Sequence, residues 1–430
     1  MGIEVDQLFA WSVLLSVLLL IVWGRIRMEI SALAGLLLLG TLQIAPPKVI
    51  FAGFGHPALA TIIAVFLVSK GIINSGLLRG LGQMVAKRTD SVRSQIICIA
   101  AVGAFLSAFM NNVGAVGLLL PTTVRMAKRS GTSLSLFGLP LAMASILGGT
   151  ITLVGSAPNI IIASYMAIYA GKSFNMFDFA PHGLAMIGSA LLILFLTQAF
   201  SVKFGSKTTM STANGVPAEM VDDDTDFVGK EFFTLVDNKR RITFLVIMIA
   251  LFMVSIGWLH PAFGFGWAAI MLIFAGILKL PAAYASIDIG IIIFLGSMLG
   301  IGQTLDHIGA LELLSTFIAQ ITRGFSIFWL IFILIIFASL LSNVINNSAS
   351  AVFMAPLAVG IASSSNLEIA AALMAVAAGA NLTLLLPTHQ ATLMVMSKAP
   401  FSTKTFLQVG SVLTLCCAFS AALVITLVWQ

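Results

Sequence analysis

Charge is the scarcest commodity in this chain. Only 9% of its 430 residues are Asp, Glu, Lys or Arg, where a soluble globular domain carries about 25%. A water-soluble fold of this size is therefore excluded. The apolar runs are long and do not alternate, which excludes a β-barrel of the outer-membrane type. Cysteine is nearly absent: Cys98, Cys416 and Cys417 have neither metal-ligand spacing nor a pairing pattern, and read as apolar packing residues. There is no phosphate-cradling Gly-Lys loop, no His/Cys cluster and no aligned Ser/His/Asp set, so the expectation is that this is not an enzyme and carries no organic cofactor. The net charge of +6 does not signal nucleic acid, because the Lys and Arg residues sit in short loops between apolar runs.

What is present is hydrocarbon-like sequence, 59% hydrophobic, with runs long enough to cross a bilayer from end to end. The first half reads as spans at 8–24, 29–46 and 57–78, a basic loop, a long interrupted segment at 94–127, a broken span at 136–171 and a span at 182–202. Glu4 and Asp6 precede the first run, which reads as a retained span and not a signal peptide. Residues 203–240 form a polar linker with an acidic run at Asp222, Asp223 and Asp224. The second half repeats the layout: spans at 241–258, 264–281 and 287–306, an amphipathic connector at 310–323, an interrupted segment at 326–362, a broken span at 367–398 and a last span at 404–429.

The two interrupted segments carry the same polar insert. Asn111-Asn112 and Asn346-Asn347 recur at an offset of 235 residues, with Pro121/Pro356, Val124/Val359 and Ala127/Ala362 in register. If each insert is the tip of a re-entrant hairpin, each half crosses five times, and an odd number inverts the second half. The expected architecture is an all-α polytopic membrane protein of two inverted-topology repeats, 1–202 and 241–430, each with a re-entrant hairpin and a broken transmembrane helix. Placing the N-terminus outside puts Arg25, Arg27 and the basic clusters at 79–93, 128–129, 203–207 and 239–241 in the cytoplasm, leaving Lys48, Lys172 and Arg323 outside. Both termini are then extracytoplasmic, and the expected location is a bacterial plasma membrane.

Backbone broken at membrane depth is tolerated only where it faces protein, water or ligand. The second arm of the first hairpin begins near Asn112, and a helix N-terminus there suits an anion. The last carbonyls of the first arm suit a cation such as Na⁺. Ser107 stands five residues before Asn112, and Ser342 five before Asn347, a shared spacing that favours a shared role. The alternative is that the amides only cap the hairpin turns. The broken spans supply an opposite wall: Gly149 to Asn159, where Ser156 can cap the new helix and Pro158 suits its first turn, and Gly379 to Thr392, with Pro387, Thr388 and His389. Here the alternative is an ordinary proline kink. No Asp or Glu falls at the centre of a span, which disfavours a proton relay. His389 stands open as a substrate or proton ligand or as polar packing. Lys70, about twelve residues into its span, is either an anion-attracting group or a side chain that reaches water.

The hairpin asparagines followed by small residues and proline, with Gly-Ser-Ala-Pro-Asn on the broken span, resemble the divalent anion/Na⁺ symporter family of the ion transporter superfamily. The stretch from Leu386 to Thr392, with Phe401 and Gly410, is similar to its sulfate-permease-like branch. The family's Ser-Asn-Thr hairpin motif falls on Asn111-Asn112-Val113 and Asn346-Asn347-Ser348. The resemblance implies Na⁺ at Ser107, Asn112 and Gly155 in one half, and at Ser342, Asn347 and Leu386 in the other, the last by its backbone. It implies a substrate between the tips, near Asn111, Asn112, Val113, Ser156, Asn346, Asn347, Ser348, Pro387, Thr388 and His389. It further implies a homodimer and an elevator-type motion. The expected function is Na⁺-coupled symport of a small divalent anion, sulfate-like or a C4-dicarboxylate. The alternatives are a Na⁺/H⁺ antiporter or arsenite-type exporter of the same superfamily, or an ion channel. The departures from the motif at Asn111, Asn346 and Val113 are the expected seat of specificity.

Overall fold

The computed structural model describes residues 5–77, 91–204, 230–310, 324–398 and 401–430. The first half runs α1 (Val5–Trp23), α2 (Met28–Thr41), a short α3 (Pro47–Ile50) with a 3₁₀ turn (Phe51–Gly55), α4 (Pro57–Ser75), α5 (Val92–Ser107), α6 (Asn112–Arg129), α7 (Leu134–Gly148), α8 (Ala157–Ala170) and α9 (Ala180–Phe204). The second half runs α10 (Lys230–Ser255), α11 (Pro261–Phe274), a short α12 (Leu280–Ser286), α13 (Ile289–His307), α14 (Ile327–Val344), α15 (Asn347–Ser364), α16 (Ile369–Ala380), α17 (Gln390–Met396) and α18 (Thr403–Trp429). The two lists match element for element. Even the short α3 and α12, which no sequence signal announced, hold equivalent places.

Local chemistry sets several of these boundaries. Pro57 and Pro261 sit in the first turns of α4 and α11, where the missing N–H costs nothing. His56, His260 and His389 each turn Nδ1 onto a backbone N–H two residues on and cap α4, α11 and α17. Gly76, at φ 67°, takes the left-handed conformation that ends α4.

The linker expected at 203–240 is shorter than that. Helix α10 begins at Lys230, so Lys239, Arg240 and Arg241 ride on a helix and not in a loop. The acidic run at 222–224, most of the basic loop after α4 and nearly all of the connector at 310–323 lie outside the described residues. Lys70 lies five residues before the end of α4. Among the cysteines, Cys417 is buried between α9 and α18 against the Met186 carbonyl, while Cys416 is exposed.

The inversion is visible in the packing. Glu29, at the start of α2, lies beside Gly290 at the start of α13, and Leu36 lies against Gly300, so α2 and α13 run parallel. Gly71, late in α4, meets Leu272, late in α11, so these two also run parallel. The chain turns back between α2 and α4, with Phe54 against Gly296 and Ile50 against Gly300. The second helix of one repeat is thus directed against the second helix of the other.

The helices sort into two groups that cross the repeats. Helices α1 to α4 pack with α10 to α13, chiefly through α2 on α13 and α4 on α11. Helices α5 to α9 pack with α14 to α18, through α5 on α7, α14 on α16 and α9 on α18. Between the groups contact is thin: α4 touches α6 and α8, and α13 touches α15.

Candidate functional site

Both hairpins break where the paired asparagines stand. Helix α5 ends at Ser107 and α6 begins at Asn112; α14 ends at Val344 and α15 begins at Asn347. The two asparagines of each pair divide the work. The first is the N-cap: Asn111 accepts from the Val113 N–H at 3.1 Å, and Asn346 from the Ala349 N–H at 2.7 Å. The second turns back onto the first arm. The Ser107 hydroxyl donates to Asn112 Oδ1 at 2.7 Å and the Ser342 hydroxyl to Asn347 Oδ1 at 3.2 Å. The capping reading therefore holds for Asn111 and Asn346. Ser and Asn are near-equal N-caps, so these departures from the Ser-Asn-Thr motif conserve local structure.

Each broken helix presses its loop onto a hairpin. Gly148 lies on the Ala104 carbonyl of α5, and Gly379 on the Ile335 carbonyl of α14. In the first half, the Thr152 hydroxyl of the loop donates to the Ala108 carbonyl at the hairpin tip and accepts from the Gly155 N–H at 3.1 Å. A Cβ on Gly155 would fall 2.7 Å from the Gly149 oxygen and 3.0 Å from the Ala108 oxygen. One on Gly149 would fall 2.7 Å from Asn112 Oδ1. Oxygens of Gly149 and Ala108 thus crowd Gly155, and those of Asn112 and Gly155 crowd Gly149, so both positions need glycine and four oxygens cluster at this junction. An all-oxygen donor set of this kind suits a hard monovalent cation.

The second half reaches the same end with different groups. Asn343, the positional equivalent of Ala108, is 2% exposed and accepts from the Leu385 and Leu386 N–H groups at 3.0 and 2.9 Å. Its carbonyl accepts from the Thr388 hydroxyl at 3.2 Å. The single Ser342 proton is shared with the Ala380 carbonyl, the nearer acceptor at 2.6 Å, and Ser339 donates to the Leu382 carbonyl at 2.6 Å. Here most of the bonds join hairpin side chains to the loop, whereas in the first half the loop's Thr152 holds the hairpin.

Between the two tips and the two loops lies a cavity of about 300 Å³. Its wall includes Asn111, Asn112, Val113, Gly155, Ser156, Ser342, Asn346, Asn347, Ser348, Thr388 and His389, all of them singled out in the sequence. Ser107, Leu386 and Pro387 are not in the wall. Ser107 stands behind Asn112, fully buried. Leu386 gives its N–H to Asn343 and turns its side chain outward, 36% exposed. Ser156 is in the wall but departs from expectation as a cap: it occupies the N-cap position of α8, yet its hydroxyl makes no capping bond and is buried without a partner. Pro158 does lie in the first turn of α8. His389 spends Nδ1 on its cap, which leaves the neutral ring's proton on Nε2, the nitrogen free to donate.

Sequence reasoning missed Asn343 and Thr383. Thr383 lines the cavity with a buried hydroxyl that has no partner. Four N-termini of the hairpins and broken helices, those of α6, α8, α15 and α17, reach this wall, as do the starts of α2 at Met28 and of α13 at Asp288. No Lys or Arg does; the one formal charge in it is Asp288, which caps α13 at the mouth.

Two inverted repeats, each with a hairpin and a broken helix, thus enclose one cavity that no Lys or Arg side chain lines. The chain belongs to the CitMHS citrate transporter family of the ion transporter superfamily, whose model matches residues 18–380. It is 31% identical over 186 residues to an uncharacterized transporter of Synechocystis sp., covering 43% of this chain and 30% of that protein. It is 31% identical over 156 residues to sodium/sulfate cotransporter 2 of Chlamydomonas reinhardtii, covering 35% of this chain and 18% of that one. The chain therefore spans less than a third of either relative's length. Its fold is similar to the crystal structure of the Alcanivorax borkumensis YdaH transporter, with a TM-score of 0.64 at 12% identity over 96% of this chain and 98% of that one. The superfamily resemblance read from the hairpin motifs is upheld.

Proposed function

We propose that this protein couples Na⁺ to the symport of a small divalent anion, a sulfate-like oxyanion or a small carboxylate. The observation that carries the proposal is the pairing of two opposite environments across one wall. The cavity meets the N-termini of both hairpin second arms and both restarted broken helices with no cationic side chain, so an anion would be held by backbone N–H groups, hydroxyls, amides and the His389 Nε2 proton. Behind the first tip, the oxygens of Ala108, Asn112, Gly149 and Gly155 suit Na⁺. The equivalent place in the second half offers Ser342, Asn347 and the Ala380 carbonyl. Ions bound behind the tips would place positive charge beside the anion, which makes each the condition for the other.

The two helix groups give the motion its form. Helices α5 to α9 and α14 to α18 hold every hairpin and loop, and touch the remaining helices thinly. They would slide as one body against a scaffold of α1 to α4 and α10 to α13, in elevator fashion. By family resemblance that scaffold would also carry the homodimer contact. The cavity opens beside the exposed Asp288, at the ends of α2 and α13 that the charge pattern assigns to the cytoplasm. On that orientation the form would be that of an inward-open carrier.

The test is uptake in proteoliposomes of radiolabelled sulfate, succinate and citrate under a Na⁺ or K⁺ gradient. Saturable uptake of one of them that collapses when K⁺ replaces Na⁺ is expected. Uptake indifferent to Na⁺ removes the coupling, and unitary currents in electrical recordings would replace the carrier with a channel.

A further inference from the structure

One polar contact joins the two broken helices directly. Asn159, in the first turn of α8, and Asn381, at the end of α16, are both fully buried and lie 222 residues apart in sequence. Asn159 Nδ2 donates to the Gly149 carbonyl at 3.1 Å and to the Thr152 carbonyl at 2.8 Å, tying together both ends of its own loop. That fixes which way its amide faces, because a flipped amide would set oxygen against two oxygens. Asn159 Oδ1 is then presented to Asn381, whose Nδ2 donates to it at 2.9 Å and to the Ala377 carbonyl at 2.9 Å. Asn381 has no freedom to flip either, so its Oδ1 is left buried without a partner. Retaining such an acceptor inside apolar packing is unfavourable. It is tolerated here as the consequence of holding the bridge in one orientation.

The bridge ends where the ions would sit. Gly149 and Thr152 belong to the loop that closes the first oxygen cradle. Asn381 follows Ala380, whose carbonyl takes the Ser342 hydroxyl in the second half. We propose that Asn159 and Asn381 are positioning residues that make the two broken-helix loops one unit, so that occupancy of either ion place is transmitted to the other across the internal repeat. This rests on the Na⁺-coupled reading above, and predicts cooperative Na⁺ dependence that a break in the bridge abolishes.

The variants are Asn381→Ala and Asn381→Leu, the second keeping the volume, with Thr392→Val as a control that alters a buried hydroxyl on the same broken helix outside the bridge. Two measurements separate the bridge from the transport reading. Hydrogen exchange of the purified full chain, followed by mass spectrometry, should show faster exchange at 149–156 in both Asn381 variants and not in Thr392→Val. A lost buried hydrogen bond corresponds to about a fivefold rise in opening. Unchanged exchange at 149–156 overturns the proposal, whatever the protein transports. In proteoliposomes, the Na⁺ Hill coefficient of uptake should fall towards one in the Asn381 variants while uptake at saturating Na⁺ persists. A wild-type Hill coefficient in both variants also overturns it. Wild-type uptake that ignores Na⁺ defeats the coupling reading instead, and the exchange data still decide the bridge.

Discussion

Gly155→Ala is the sharpest perturbation of the first oxygen cradle. The new methyl carbon would lie 2.7 Å from the Gly149 oxygen, where ordinary contact begins near 3.4 Å, so the loop must withdraw by the difference, about 0.7 Å. It cannot do so freely, because the Thr152 hydroxyl pins the same loop to Ala108 and Asn159 ties it to itself. Overpacking at such a place costs about 1–3 kcal/mol. If that cost falls on the ion-bound state, the half-saturating Na⁺ concentration rises by about 5- to 150-fold. The assay is anion uptake against Na⁺ concentration in proteoliposomes, paired with the Na⁺-dependent thermal shift of the purified protein. Gly188→Ala, on α9 with open space where its methyl would go, is the matched control and should leave both curves in place. Should Gly155→Ala keep wild-type Na⁺ dependence, the cradle between Asn112, Gly149 and Ala108 is not where the ion sits.

Substitutions at three further positions probe the wall and what supports it. Thr383→Val removes a buried, unpartnered hydroxyl; it should stabilise the protein by about 1 kcal/mol yet raise the KM for the anion, and an unchanged KM would clear Thr383 of substrate contact. Asn343→Leu strands the Leu385 and Leu386 amides; at about 1–3 kcal/mol for each orphaned group, the melting temperature in detergent should fall sharply, and a wild-type melt would show that the loop does not depend on it. His389→Asn keeps an acceptor for the Ala391 N–H, while His389→Ala loses a cap worth about 1 kcal/mol. Only the alanine variant should melt early, but both should lose affinity for the anion if Nε2 donates to it; a normal KM in His389→Asn would leave the ring as a cap alone.

Much of the site was legible because its signals are local. Ser107 and Asn112, like Ser342 and Asn347, stand five residues apart, and that spacing forces them together when a helix breaks between them. Polar groups in apolar sequence need partners, so the inserts marked the hairpin tips. What escaped notice has partners far away in the chain. Asn343 looks like one more polar residue at a helix end; its role depends on amides 42 and 43 residues later. Thr383 was passed over because its importance lies in a missing partner, which no sequence shows. The division into two helix groups was also hidden. Helices that are apolar on nearly every face give no sign of which side meets lipid and which meets protein. Basic residues are equally at home on a solvated helix and in a loop, so Lys239, Arg240 and Arg241 do not mark where α10 begins.

The composition of the cavity wall has an electrical consequence. Every wall residue on the helices that would move is uncharged, and Asp288, on α13, would stay with the stationary ones. The membrane field does about 2.3 kcal/mol of work per elementary charge per 100 mV. A wall without fixed charge gives that field little to grip when the carrier returns empty. The voltage sensitivity of the cycle is then set by the arithmetic of the cargo: how many cations accompany each anion, and what charge remains when they are added.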